Sequence, residues 1–299
     1  MATTAGMVAA GHPDTAAAGQ AVLQAGGNAF DAVVGALCAA TVCEPLLTSL
    51  AGGGFLLARP ADGPPEVFDF FVQTPQRKLP AGDIDFTPVL VDFGPAQQEF
   101  HVGLGSAAVP GVAAGIFAIH EALGSLPLAE VMAPAIDLAR RGVVQTRYQA
   151  YITGILMPIL ERSPAALALA SSPEAPGKPA RVGQSVVHPD MANLLAFLVE
   201  EGRAGFYQGE PGRRLLRDCR EQGGMLTAAD MDAYTVVRRR PIHTASHGSE
   251  FWFNAPPSPG GSLVAFALGL LDPLEVDVLD QHSERGVMAL LGAMDAANR

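Results

Sequence analysis

A chain of 299 residues with 49% hydrophobic and 16% charged side chains can build one large domain or two ordinary ones, and is neither disordered nor fibrous. A formal net charge of −11 disfavours a nucleic-acid partner. No uninterrupted apolar run reaches membrane-spanning length, since the longest, Ala29 to Cys43, contains Asp31 and ends at Glu44-Pro45, so no membrane partner is expected.

Met1-Ala2-Thr3-Thr4-Ala5-Gly6 lacks the basic and apolar regions of a secretory signal. The expected compartment is the cytoplasm, or the periplasm or exterior if a leader has been removed. His12-Pro13-Asp14 opens a first helix, with proline suited to the first turn and Asp14 favoured at the positive end of the helix dipole. His12 reads either as a catalytic base or, more simply, as a cap or surface residue. The helix runs to about Ala25, where Gly26-Gly27 stops it. Asn28 is a good N-cap for a second helix, Ala29 to Cys43, whose small apolar faces suit burial between layers.

The run Ser49-Leu50-Ala51-Gly52-Gly53-Gly54 allows close backbone approach and positive φ. It leads into a short buried strand, Phe55 to Ala58, a turn at Pro60 to Pro65, and a second strand, Glu66 to Phe71. So short a link demands an antiparallel hairpin. A phosphate-binding loop is excluded, because neither the following helix nor a Gly-Lys-Ser/Thr ending is present.

Gln76 to Pro95 reads as a long loop and Gln97 to Val109 as strand. Helices follow over Val112 to Leu123 and Pro127 to Arg141. Tyr148 to Ala170 is helical in composition but cut by Pro158 and Pro164, and Ser171 to Lys178 is the best internal linker. Met191 to Glu201 and Gly212 to Gln222 are further helices. Arg238-Arg239-Arg240 reads as a solvated strand end or a source of internal salt bridges. A Pro/Gly turn over Asn254 to Gly261 precedes the helix Ser262 to Leu271, and the final residues read as the middle of a helix. Cys38, Cys43 and Cys219 have no metal-like spacing and read as small buried hydrophobes. Low charge and many alanines leave a surplus of apolar surface, expected to be hidden by a second chain or segment.

No Gly-x-Ser-x-Gly, His-Glu-x-x-His or Cys-x-x-Cys motif occurs. Four stretches read together go further. They are Gly26-Gly27-Asn28-Ala29-Phe30-Asp31-Ala32 with Gly52-Gly53-Gly54-Phe55; Pro134 to Gly142; Phe206-Tyr207-Gln208-Gly209 with Gly223 to Thr227, Asp230, Tyr234 and Arg240-Pro241-Ile242; and Ala255-Pro256-Pro257-Ser258-Pro259-Gly260-Gly261. In this order, from about Gly6 to Arg299, the chain resembles the γ-glutamyltransferase family of N-terminal nucleophile hydrolases, on its large-subunit side.

The resemblance implies an α+β fold, a four-layer αββα sandwich, of which residues 1–299 are the large-subunit part, incomplete without the downstream small subunit. It implies a precursor that cuts itself before a threonine, whose hydroxyl then attacks γ-glutamyl or related amides by an acyl-enzyme route. That threonine lies outside this chain, so no catalytic residue is expected here and the chain alone should be inactive. The implied partners are a small-molecule amide or peptide substrate and a small subunit from the same precursor, with no cofactor and no metal. The alternative is a non-catalytic scaffold or degenerate homologue. A periplasmic-type binding protein is a third reading, without the regular βαβ alternation it would need.

The family usually carries Asp-Phe-Arg-Glu after the second hairpin strand, its arginine gripping the α-carboxylate of the glutamyl group. Here the stretch is Asp69-Phe70-Phe71-Val72, followed later by Arg77. A phenyl ring cannot replace a bidentate clamp. Phe71 and Arg77 are therefore the candidate substrate-binding residues: either Arg77 supplies the charge or the acyl group is not a free γ-glutamyl. Arg77 as a solvated loop cation is the competing reading.

Overall fold

The computed structural model describes residues 6–275, 280 and 282–299. The leading segment, with Thr3 and Thr4, lies outside the described residues. In chain order the first elements are α1 (Pro13–Gln24), α2 (Ala29–Cys43), β1 (Phe55–Ala58), β2 (Glu66–Asp69), β3 (Thr87–Asp92) and β4 (Gln97–Val102). Then come α3 (Val112–Leu123), α4 (Leu128–Arg141), β5 (Val143–Val144), α5 (Arg147–Leu160), α6 (Pro164–Ala168), β6 (Ser185–Val186) and α7 (Pro189–Tyr207). The last are α8 (Glu210–Glu221), α9 (Ala228–Ala233), β7 (Val237–Arg239), β8 (Ile242–Ser246), β9 (Ser249–Phe253), α10 (Pro259–Leu271) and α11 (Glu284–Asn298). Two compact units result: one comprises the chain up to Gly53 with Phe71–Thr235, the other Gly54–Phe70 with Val236–Arg299. The Ser171 to Lys178 loop lies inside the first unit and divides nothing; Ser171 and Ser172 are buried there.

The first unit is organised around α2, which packs on α1, α3 and α4, while α7 packs on α3 and α4. Small residues make this possible. A Cβ on Gly35 would stand 3.0 Å from the Val131 carbonyl oxygen and 2.8 Å from a Val22 methyl. Asn28 caps α2 in a capping box with Asp31, as its sequence position requires. Asp31 does more than cap. Fully buried, it also accepts from the Ser125 backbone N–H at 3.0 Å and the Ser125 hydroxyl at 2.5 Å, pinning the α3–α4 connection. Burial pushes its carboxyl up, but the hydrogen bonds from Ser125, Asn28 and Leu126 outweigh that and hold it below its ordinary value.

Two expectations are corrected here. The stretch Gln76 to Pro95 contains β3, which pairs antiparallel with β4 from Thr87↔Val102 to Asp92↔Gln97. Its inward residues, Val89 and Val91, alternate with exposed ones, so the strand is fixed by pairing rather than by its Pro- and Asp-rich flanks. Helix α5 continues through Pro158. That proline lies in the last turn and costs only the one intrahelical bond its missing N–H would have made, to exposed Gly154.

In the second unit β1, β2 and β7 form an antiparallel sheet in that order, with Phe55 opposite Asp69 and Asp69 opposite Val237. The arginine run supplies internal pairs. Arg239 Nε donates to Asp69 Oδ2 at 2.8 Å, and Arg238 pairs with Glu66 while its guanidinium lies 4.0 Å over the Phe68 ring. β1 is only partly covered: Ala58 is buried and Leu57 exposed, which corrects the expectation of a buried strand. β8 and β9 form a hairpin against α10, and α10 packs on α11. Among the described residues no helix is long and apolar enough to cross a membrane.

Candidate functional site

The glycine run positions the candidate site by space rather than by unusual dihedrals. None of Gly52, Gly53 and Gly54 has left-handed φ. A Cβ on Gly53 would stand 2.4 Å from the Val72 nitrogen and 2.9 Å from the Phe71 Cα and carbonyl carbon. Contact this close with backbone admits only glycine. One residue earlier, the Gly52 carbonyl accepts from the N–H groups of Gly111 at 2.8 Å and Val112 at 2.9 Å, tying the run to the start of α3.

The segment that follows Phe71 is held from three further directions. The Phe71 carbonyl accepts from the Tyr234 hydroxyl at 2.9 Å. Gln73 exchanges backbone hydrogen bonds with Val109 at 2.8 and 3.3 Å. The Gln76 N–H donates to Asp230 Oδ1 at 3.0 Å, while Asp230 Oδ2 accepts from the Thr227 backbone and hydroxyl in a capping box at the start of α9. Burial raises the Asp230 carboxyl, but these hydrogen bonds prevail and hold it below its ordinary value. Tyr234 is 1% exposed, stacks on Tyr207 with ring centroids 5.9 Å apart, and Tyr207 donates to the Pro110 carbonyl at 2.7 Å.

On this anchored backbone the Phe71 side chain is 50% exposed. Arg77, one residue past the last anchor, is exposed and has no acidic partner among the described residues. Both candidate residues thus lie on one loop of the first unit. Tyr207, Asp230 and Tyr234 stood in the sequence only as marks of resemblance; their supporting role rests on contacts between positions about a hundred residues or more apart, which no local pattern announces.

A second cluster was not visible in the spacing. His12, Asp14 and Cys43 each bring a potential ligand atom within 4.8 Å of the others. The Nδ1 lone pair of His12 already accepts from the Asp14 N–H at 3.1 Å, capping α1, and burial pushes the Cys43 thiol up to about 12. His12 is a cap, as one reading had it, but a buried one at 4% exposure rather than a surface residue. It lines, with Cys43, Glu44, Gln145, Thr153 and His188, a cavity of about 270 Å³. Burial lowers the basicity of His188 there. All three cysteines are free and buried, the small-hydrophobe role expected of them.

The gamma-glutamyltranspeptidase family model matches residues 15–299. An acylase ACY 1 proenzyme of Pseudomonas sp. (strain V22) is 34% identical over 297 residues, covering 98% of this chain and 52% of the relative. A glutathione hydrolase proenzyme of Escherichia coli (strain K12) is 29% identical, covering 91% of this chain and 46% of that protein. The chain therefore spans about half the length of these relatives. Among solved structures, Helicobacter pylori gamma-glutamyltranspeptidase superposes with a TM-score of 0.86 at 26% identity, over 100% of this chain and 83% of that one. A cephalosporin acylase from Bacillus halodurans shares the fold with a TM-score of 0.78 at 24% identity, over 96% of this chain and 52% of that one. The fold is α+β, of the N-terminal nucleophile hydrolase type expected from the motifs. The chain belongs to the gamma-glutamyltranspeptidase family.

Proposed function

We propose that residues 1–299 are the large-subunit part of an autoprocessed amidohydrolase or acyltransferase, completed by a small subunit from the same precursor. The observation that carries this reading is one of extent: alignment over 98% of this chain accounts for only 52% of an acylase proenzyme. The nucleophile assigned is a threonine at the start of the missing part. Its hydroxyl oxygen attacks the amide carbonyl while its own α-amine takes the proton and returns it to the leaving amine. Water or a second amine then releases the acyl group from the ester. No cofactor or metal is assigned a role.

The donor we assign is a small amide or peptide whose acyl group lacks a free α-carboxylate. Phe71 supports this, standing where the resemblance places the carboxylate-gripping arginine, and so does the relative named an acylase at 34% identity. The compartment assigned is the cytoplasm, or the periplasm if the precursor carries a leader. Expression of the complete coding sequence tests the reading. Two fragments are expected by intact mass, the second beginning with threonine, together with hydrolysis of butanoyl-p-nitroanilide. An unprocessed, inactive product would return the chain to the scaffold reading.

A further inference from the structure

Resting on the assignment of Phe71 to the acyl pocket, we infer that Tyr234 and Asp230 are positioning residues that set donor selectivity by fixing the backbone on which Phe71 stands. Both are buried, at 1% and 4% exposure. Neither is assigned a chemical step. Tyr234 spends its hydroxyl proton on the Phe71 carbonyl at 2.9 Å, and Asp230 spends one carboxylate oxygen on the Gln76 N–H at 3.0 Å. These two bonds bracket the segment that carries Phe71, while Gly53 closes it from beneath and Val109 bridges it at Gln73. Four anchors within six residues leave the Phe71 backbone one position. Half of the Phe71 side chain nevertheless remains uncovered. A ring whose backbone is immobilised and which is half exposed presents a fixed apolar wall to whatever lies against it. Selectivity that depends on a wall depends on the wall's position.

The test uses the processed, two-subunit protein and steady-state kinetics on butanoyl-p-nitroanilide and γ-glutamyl-p-nitroanilide. Tyr234→Phe keeps the buried ring and removes only the hydroxyl. Loss of one such bond is expected to raise KM for the butanoyl donor by about three- to tenfold with kcat little changed, and to narrow its preference over the γ-glutamyl donor by the same factor. Asp230→Ala should act in the same direction, and Asp230→Asn, which retains an acceptor for the Gln76 N–H, should restore much of the preference. Unchanged KM values and preference in Tyr234→Phe would overturn the inference, as would a fall in kcat alone. Phe71→Arg separates the two levels. If it moves the preference and Tyr234→Phe does not, the positioning role fails; if Phe71→Arg moves nothing, the pocket assignment itself fails.

Discussion

Asp31 shows how one carboxylate in an otherwise apolar helix is retained. It interrupts the longest hydrophobic run in the chain, yet it is fully buried and receives donors from Asn28, Ser125 and Leu126. Hydrogen bonds to a charged group contribute about 1.5–3 kcal/mol each, so together they exceed the desolvation of the carboxylate. Because the folded carboxyl titrates below its unfolded value of 3.8, its stabilisation is fully present above that pH and is lost as pH falls through the folded value. Asp31→Asn should therefore lower the unfolding free energy from urea titration at pH 7 by about 1.5–3 kcal/mol, and by less at a pH well below 3.8. An equal deficit at both pH values would show that the charge itself contributes nothing. Phe71 is the other residue with a quantitative consequence. A γ-glutamyl donor facing its ring would bury a carboxylate without a partner, at a cost of about 2–5 kcal/mol, or tens- to thousands-fold in rate at about tenfold per 1.4 kcal/mol. Phe71→Arg should recover a large part of that factor on γ-glutamyl-p-nitroanilide. Efficient wild-type turnover of this donor, abolished by Arg77→Ala, would instead hand the carboxylate to Arg77.

At the level of elements, the glycine run is a joint between the start of α3 and the loop bearing Phe71, and its tightness makes a prediction. Gly53→Ala places a methyl against the Val72 nitrogen at 2.4 Å, so backbone must move; overpacking of this kind costs about 1–3 kcal/mol or more. Gly53→Val should be worse and should block maturation of the precursor, read as loss of the two-fragment pattern on a denaturing gel. Normal yield and processing of Gly53→Val would reduce the run to a flexible turn. The sequence made this joint partly legible. Three adjacent glycines before an apolar strand announce a close approach, but not what approaches: the neighbour is the far end of the same hairpin, and the cause is space, where positive φ was the other option. Helix α2 was readable end to end because its signals are local, with Asn28 at one end and Glu44-Pro45 at the other. Strand β3 was not, because its partner strand decides it and its flanks are rich in turn formers. The supports of the candidate site were illegible for the same reason, since Tyr234 meets Phe71 across 163 positions.

Over the whole molecule, nine of the exposed large apolar side chains stand on the last two helices. Leu263, Val264, Phe266 and Leu270 of α10, and Val287, Met288, Leu290, Leu291 and Met294 of α11, are each between 41% and 62% exposed. No residue of α10 is buried, although its sequence is apolar on every side. A helix of that kind belongs in an interior, and contiguous exposed patches larger than a few hundred Å² mark interaction surfaces. On the proposed function, the cover is the small subunit from the same precursor. Residues 1–299 produced alone should therefore self-associate, giving broad, concentration-dependent species in sedimentation. Phe266→Glu with Leu290→Glu should suppress that association by placing charge on the face. In the complete protein the same pair should block assembly if the small subunit fills this face. A monodisperse, cooperatively unfolding monomer of residues 1–299 would show that the face needs no cover; association relieved by the double variant, which in turn abolishes processing of the full precursor, would identify it as the seam between the two parts.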